Sequence, residues 1–140
     1  MGKINWARVF LGGLLAGVVI TIFEMGYGML MAADWQAALQ ALGRPAEPTS
    51  SQMIIFPLLN FAIGFAAIWL YVAARPRFGP GPKTAACMGS ACGVIVYAIP
   101  GIAWGMLIGF PTRLLVIGIV WGVVQLVVAT VAGAWAYKEV

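Results

Sequence analysis

Four long apolar stretches, joined by short polar segments, take up nearly the whole of this 140-residue chain. Each runs to roughly 20 residues or more, enough for a helix to cross the hydrocarbon core of a bilayer. Lipid offers backbone groups no water, so a spanning segment of that length satisfies its own hydrogen bonds as an α-helix. The remainder cannot build a soluble surface, because only 9% of residues are charged, against about 25% in soluble domains. The expected fold is all-α: an integral membrane four-helix bundle with short connections, forming one transmembrane domain over residues 1–140. The helices are expected at about 9–33, 53–74, 84–110 and 114–137.

The first stretch follows a short basic leader, but it is too long for a secretory signal. Glu24 interrupts it, and Met31 spoils the small-residue cleavage pattern before Ala33, so it reads as a retained helix. Nor does Gly2 open a myristoylation signal, since Trp6 stands where Ser or Thr is needed. Arg75-Pro76-Arg77 is expected to end the second helix sharply, and Pro100-Gly101 to kink or split the third. Lys138 and Glu139 close the fourth.

Basic residues set the orientation. Lys3, Arg8, Arg75, Arg77, Lys83 and Lys138 fall on the side holding both termini, and only Arg44 and Arg113 on the other. That bias places both termini in the cytoplasm. Tryptophans agree, with Trp6, Trp69 and Trp135 near the inner boundary and Trp35 and Trp104 near the outer one. The basic residues sit at the ends of apolar segments rather than in a patch, which argues against nucleic acid. In the outer loop, Trp35, Leu39 and Leu42 share a helical face, with Asp34 placed to cap its start and Gly43 its end. A short interfacial helix is expected at about 35–42, followed by an irregular stretch.

Glycine spacing carries information about packing. Gly13/Gly17, Gly89/Gly93, Gly101/Gly105/Gly109 and Gly118/Gly122 repeat at four-residue intervals, a small-residue pattern that lets helices approach closely in lipid. Those nine glycines are read as helix-packing positions within the bundle or at a partner interface. The Gly101–Gly109 ladder in particular suits another protein, a lipid or a flat pigment.

Polar groups within a span are costly, which makes each a candidate site. Glu24 is the chief one, roughly 14 Å below the outer end of its helix; Asn60 lies roughly 10 Å below the same surface. These depths suggest a hydrogen bond between them. Tyr97 and Gln125 both fall near the midplane and are expected to pair. No Lys or Arg shares Glu24's depth, so this carboxyl is expected to be neutral and to serve as a structural donor, a ligand contact or a proton site. The chain has no histidine, which removes the commonest general base and zinc ligand. Cys87 and Cys92 lie five residues apart on one helix, roughly 8–9 Å between Cα atoms, beyond disulfide reach. No catalytic residue, metal or resident cofactor is expected. Any chlorin would need Glu24, Asn60, Gln125 or water as its ligand.

Several strings together resemble uncharacterised small four-helix bacterial inner-membrane proteins over most of the chain. They are Ile4-Asn5-Trp6, the inner joint from Arg75-Pro76-Arg77 through Gly81-Pro82-Lys83-Thr84, Phe110-Pro111-Thr112-Arg113, and Gly133-Ala134-Trp135-Ala136-Tyr137-Lys138. That resemblance implies the topology and a bacterial inner-membrane location, and brings no activity. Trp69-Leu70-Tyr71 and Trp135-Ala136-Tyr137 echo one another, as two helices ending at one interface would. In form, a tiny four-helix protein with one glutamate in its first helix is similar to small multidrug-resistance transporters. The motif differs, however: the glutamate stands in Phe23-Glu24-Met25-Gly26. The leading functional expectation is a non-catalytic accessory or scaffolding subunit of a larger membrane complex, respiratory or photosynthetic. Its partners would be larger membrane subunits and lipids. A small proton-coupled transporter or channel using Glu24, acting alone or as a homodimer, is the alternative.

Overall fold

The computed structural model describes residues 4–137; Lys3, Lys138 and Glu139, used above for orientation and helix ending, lie outside them. All regular structure among the described residues is helical. The elements are α1 (Trp6–Leu30), α2 (Ala32–Ala41), α3 (Ser50–Phe78), α4 (Pro82–Gly93), a π-helical turn (Val94–Ala98), α5 (Ile99–Ile108) and α6 (Thr112–Ala136). Four helical segments are long and apolar enough to cross a membrane: α1, α3, the continuous run Pro82–Ile108, and α6. Their outward faces carry large apolar side chains such as Phe10, Ile22, Leu58, Val120 and Trp135, a surface suited to lipid and not to water.

Helix boundaries follow local chemistry that the apolar pattern hides. α3 begins at Ser50 rather than residue 53, because Thr49 and Gln52 form a reciprocal capping box: the Gln52 N–H donates to Thr49 Oγ1 at 3.3 Å and the Thr49 N–H to Gln52 Oε1 at 2.9 Å. Arg75-Pro76-Arg77 does not stop it. Pro76 removes one backbone donor near the helix end, and the chain turns only at Gly79, whose φ of +78° suits glycine. A short helix, α2, occupies the segment expected at about 35–42, but Asp34 sits inside its first turn and Met31 occupies the cap position without a side-chain bond. Its end is a Schellman turn: Gly43 (φ +66°) donates to the Gln40 carbonyl at 3.0 Å and Arg44 to the Leu39 carbonyl at 2.9 Å. Gly109, placed above among packing glycines, is instead the left-handed cap of α5, with φ +64° and open space around it.

The interruption near Pro100 is real and takes the form of the π turn. Proline supplies no N–H, and just ahead of it the Ile99 N–H reaches five residues back to the Val94 carbonyl. One extra residue is thereby accommodated without breaking the span.

α6 is the hub, packing against α1, α3, α4, the π turn and α5. α1 also packs along α3, while α3 reaches α4. Backbones touch where glycines face each other across helices. A β-carbon at Gly12 would come within 2.7 Å of the Gly133 carbonyl oxygen, and one at Gly64 within 2.6 Å of the Gly17 nitrogen. Gly13 and Gly17 seat Phe65 and Phe61 of α3; Gly89 and Gly93 press on Leu126, Val127 and Val123 of α6. Gly101 and Gly105 receive Ile119 and Leu115 of α6, so that part of the outer stripe is filled from within the chain. Around these crossings lie the fully buried Val9, Ile20, Ile68 and Leu126. At the end of the bundle that holds both termini Arg75 stacks between Tyr71 and Tyr137, 5.8 and 5.0 Å from their ring centroids. The two echoing Trp-x-Tyr endings therefore meet around one cation.

Gly64→Ala is expected to push α1 and α3 apart, because the obstructing atoms are backbone. An overpacking cost of about 1–3 kcal/mol should appear as a lowered unfolding midpoint in detergent. Gly28→Ala, which meets nothing within 4 Å, should leave the midpoint unchanged.

Candidate functional site

Glu24 is carried on α1, Tyr97 on the π turn and Gln125 on α6, and the fold brings all three together. The Tyr97 hydroxyl donates to Glu24 Oε1 at 2.8 Å, and Gln125 Nε2 donates to the same oxygen at 2.6 Å. Gln125 Nε2 also donates to the Tyr97 hydroxyl oxygen. Glu24 Oε2 receives no hydrogen bond from the described residues. Gln125 is 0% exposed, and its own carbonyl oxygen is buried without a donor. This amide is thus oriented wholly towards serving Glu24 and Tyr97.

Local sequence explains the placement. Gly122, one turn before Gln125 on α6, has no side chain, and the Tyr97 ring lies directly against that gap. The π turn carries Tyr97 at the level of Glu24. The Tyr97–Gln125 pairing expected from their depths is therefore present. The expected Glu24–Asn60 bond is not: Asn60 Nδ2 points to Thr21 Oγ1 at 3.5 Å, and Thr21 in turn donates to the Gly17 carbonyl at 2.9 Å. Asn60 faces the α1–α3 seam while Glu24 faces α6.

Outward of the triad lies a cavity of about 810 Å³, within the usual range for small-ligand sites. Glu24 and Tyr97 line it together with Tyr27, Trp121 and Gly118. Gly101, Trp104 and Gly105 of α5 form another wall, and Trp35 and Leu39 of α2 also border it, with Leu42 and Arg44 from the segment that follows. Its aromatic frame is ordered. Trp121 Nε1 donates to the Phe23 carbonyl at 3.0 Å, and the Tyr27 hydroxyl to the Leu114 carbonyl at 3.2 Å. Trp35 packs against Phe110 and Tyr27, with centroids 4.9 and 6.4 Å away. An exposed ion pair, Arg113 to Asp34 at 3.3 Å, ties α2 to the start of α6.

Gly101 and Gly105 border the cavity, but the space their missing side chains leave is taken by Ile119 and Leu115, and the gap at Gly118 faces the Tyr27 hydroxyl. Tyr27, Arg44 and Trp121 are site residues that the polarity of the spans did not single out. Trp121 carried a signal: it falls mid-span, away from the interfacial belts where the other tryptophans sit. Among the described residues, no three His, Cys, Asp or Glu side chains gather as a metal site. With Gln125 sealed in the interior and Asn60 turned to Thr21, Glu24 is the acidic or amide ligand that remains at the cavity.

No protein family, curated protein or solved structure matches the chain.

A double-mutant cycle checks the triad. Gln125→Leu alone is expected to cost about 1–3 kcal/mol by leaving Glu24 and Tyr97 short of a buried donor. Combined with Glu24→Gln, the loss should fall short of the sum by about 0.5–3 kcal/mol. Strict additivity in the unfolding free energies would mean that the three side chains do not act as a unit.

Proposed function

We propose that this chain is a non-enzymatic, multi-pass protein of the bacterial inner membrane that binds a lipophilic amine in its outer half. Glu24 is the counter-charge. Both termini are cytoplasmic in this reading, α2 lies on the outer surface, and the cavity belongs to the outer leaflet. The basic-residue bias supports that orientation.

One observation carries the reading: the sole acidic residue within the four spans borders a large, mainly apolar cavity and keeps one oxygen free of donors from the described residues. A wholly apolar guest would leave that oxygen unpaired in a poorly solvated site, at a cost of about 1–3 kcal/mol. An anion would be repelled. An ammonium group pairs with the carboxylate and is further favoured by the faces of Tyr27, Trp104 and Trp121, with cation–π attraction of about 0.5–2 kcal/mol. Arg44, also on the cavity lining, disfavours a cation and directs the charged head towards Glu24. A carrier role, in which Glu24 exchanges a proton for the amine, is the transport form of this reading.

An accessory-subunit role is the second reading, and one observation favours it. The outer part of α3 is exposed around much of its circumference, with Met53 66%, Ile55 50% and Leu58 63% accessible, leaving room for a partner helix. Native mass analysis of gently extracted protein distinguishes the two: fixed stoichiometry with larger subunits supports the second, and recovery alone or as a homodimer supports the first.

The binding reading is tested with dodecylamine, dodecanol and dodecanoate in lipid nanodiscs, following cavity tryptophan fluorescence. The amine is expected to bind at least about tenfold more tightly than the other two, a difference of roughly 1.4 kcal/mol. Glu24→Gln should erase that preference. Equal affinity for all three heads would sink the assignment.

A further inference from the structure

The two oxygens of Glu24 have different surroundings, and that difference sets which cations the cavity accepts. Oε1 takes the Tyr97 hydroxyl at 2.8 Å and Gln125 Nε2 at 2.6 Å, whereas Oε2 takes no donor from the described residues. Neither donor is free to leave. Gln125 is fully buried, and the Tyr97 ring is seated against the Gly122 backbone. With two short hydrogen bonds already made, Oε1 is poorly placed to take a third strong donor from the cavity.

Resting on the amine-binding reading, we infer that Tyr97 and Gln125 are specificity-determining positioning residues that make the site monodentate: it accepts alkylammonium heads and rejects guanidinium and amidinium heads. A guanidinium is a planar fork whose affinity for carboxylate comes from two parallel N–H donors, one to each oxygen. Here only Oε2 is open, so the fork binds through one prong and leaves other donors buried without acceptors. An ammonium is a compact point charge. It is satisfied by one oxygen, and the aromatic walls face the rest of it.

Other groups around Glu24 do not supply the missing acceptor. From α1 the nearest titratable neighbour on the lining is Tyr27, whose hydroxyl is committed to the Leu114 carbonyl. α5 contributes Gly101, Trp104, Gly105 and Ile108, none of them charged. α6 contributes Trp121, whose N–H is spent on the Phe23 carbonyl. α3 presents Asn60, which is turned to Thr21. Arg44 is itself a cation, and Asp34 is held by Arg113.

The test compares dodecylamine with dodecylguanidine, equal in chain and charge, in nanodiscs holding the full-length protein. Wild type is expected to favour the amine by tenfold or more. Tyr97→Phe keeps the ring on Gly122 and removes one donor from Oε1; Gln125→Met removes the other. In each variant guanidine affinity should rise and the ratio fall several-fold, with amine affinity changing by less. Gly28→Ala serves as the control and should leave the ratio alone. Guanidine binding equal to or tighter than amine binding in wild type would overturn the inference. So would a ratio unmoved in both variants while amine binding persists. Absence of amine binding to wild type, by contrast, would remove the underlying reading itself.

Discussion

Helices in lipid gain little by hiding apolar faces, since the lipid chains are as apolar as the side chains they would replace. What holds this bundle is close contact of backbones at a few crossings, and α6 takes part in most of them. Gly133 meets Gly12 of α1, while Gly89 and Gly93 of α4 lie on α6 at Leu126, Val127 and Val123. α1 meets α3 where Gly64 sits on Gly17 and Gly13. These contacts fix the spacing of the spans, and that spacing lets Glu24, Tyr97 and Gln125 touch. Were α1 and α6 farther apart, a 2.6 Å bond from Gln125 to Glu24 could not form. The glycines and the polar triad are two parts of one design, the first setting the distance that the second requires.

Much of this was legible from residue order. The number of long apolar helices, the break near Pro100 and a short helix ending at Gly43 all follow from apolar length and turn chemistry. Depth alone paired Tyr97 with Gln125. It failed for Glu24 and Asn60 because depth fixes height along the bundle and not the direction a side chain faces. Crossings at Gly12, Gly64 and Gly133 were hidden for a related reason. None of the three belongs to a four-residue glycine repeat, and each has its partner on another helix, so the glycine spacing does not mark it. The start of α3 was missed because Thr49 and Gln52 lie in a polar stretch that reads as loop until their reciprocal bonds are seen. Legible chemistry also misled at Arg75-Pro76-Arg77. A proline near the end of a long helix costs one bond, and Gly79, not Pro76, supplies the backbone conformation that turns the chain.

The cavity could not have been read from sequence at all. Its walls come from five separate elements and the two segments that follow α2 and α5, so no single stretch of sequence outlines it. Aromatic residues that look like membrane anchors take on a second role here. Trp35 and Trp104 sit where an interfacial belt would put them and also border the space above Glu24. Trp121, half-buried along α6, bonds to a carbonyl of α1 and frames the same space.

The π turn has a consequence for how such a site arises. It holds one residue more than an α-helix would use over the same path, and Tyr97 lies within it. Loss of a single codon from this stretch would restore a plain α-helix and rotate one half of the span against the other by about 100°. The segment would remain as apolar and nearly as long, and so equally fit to insert. A chain of this kind can thus gain or lose the contact of Tyr97 with Glu24 and Gln125 by a one-residue length change, with the apolar length of its helices untouched.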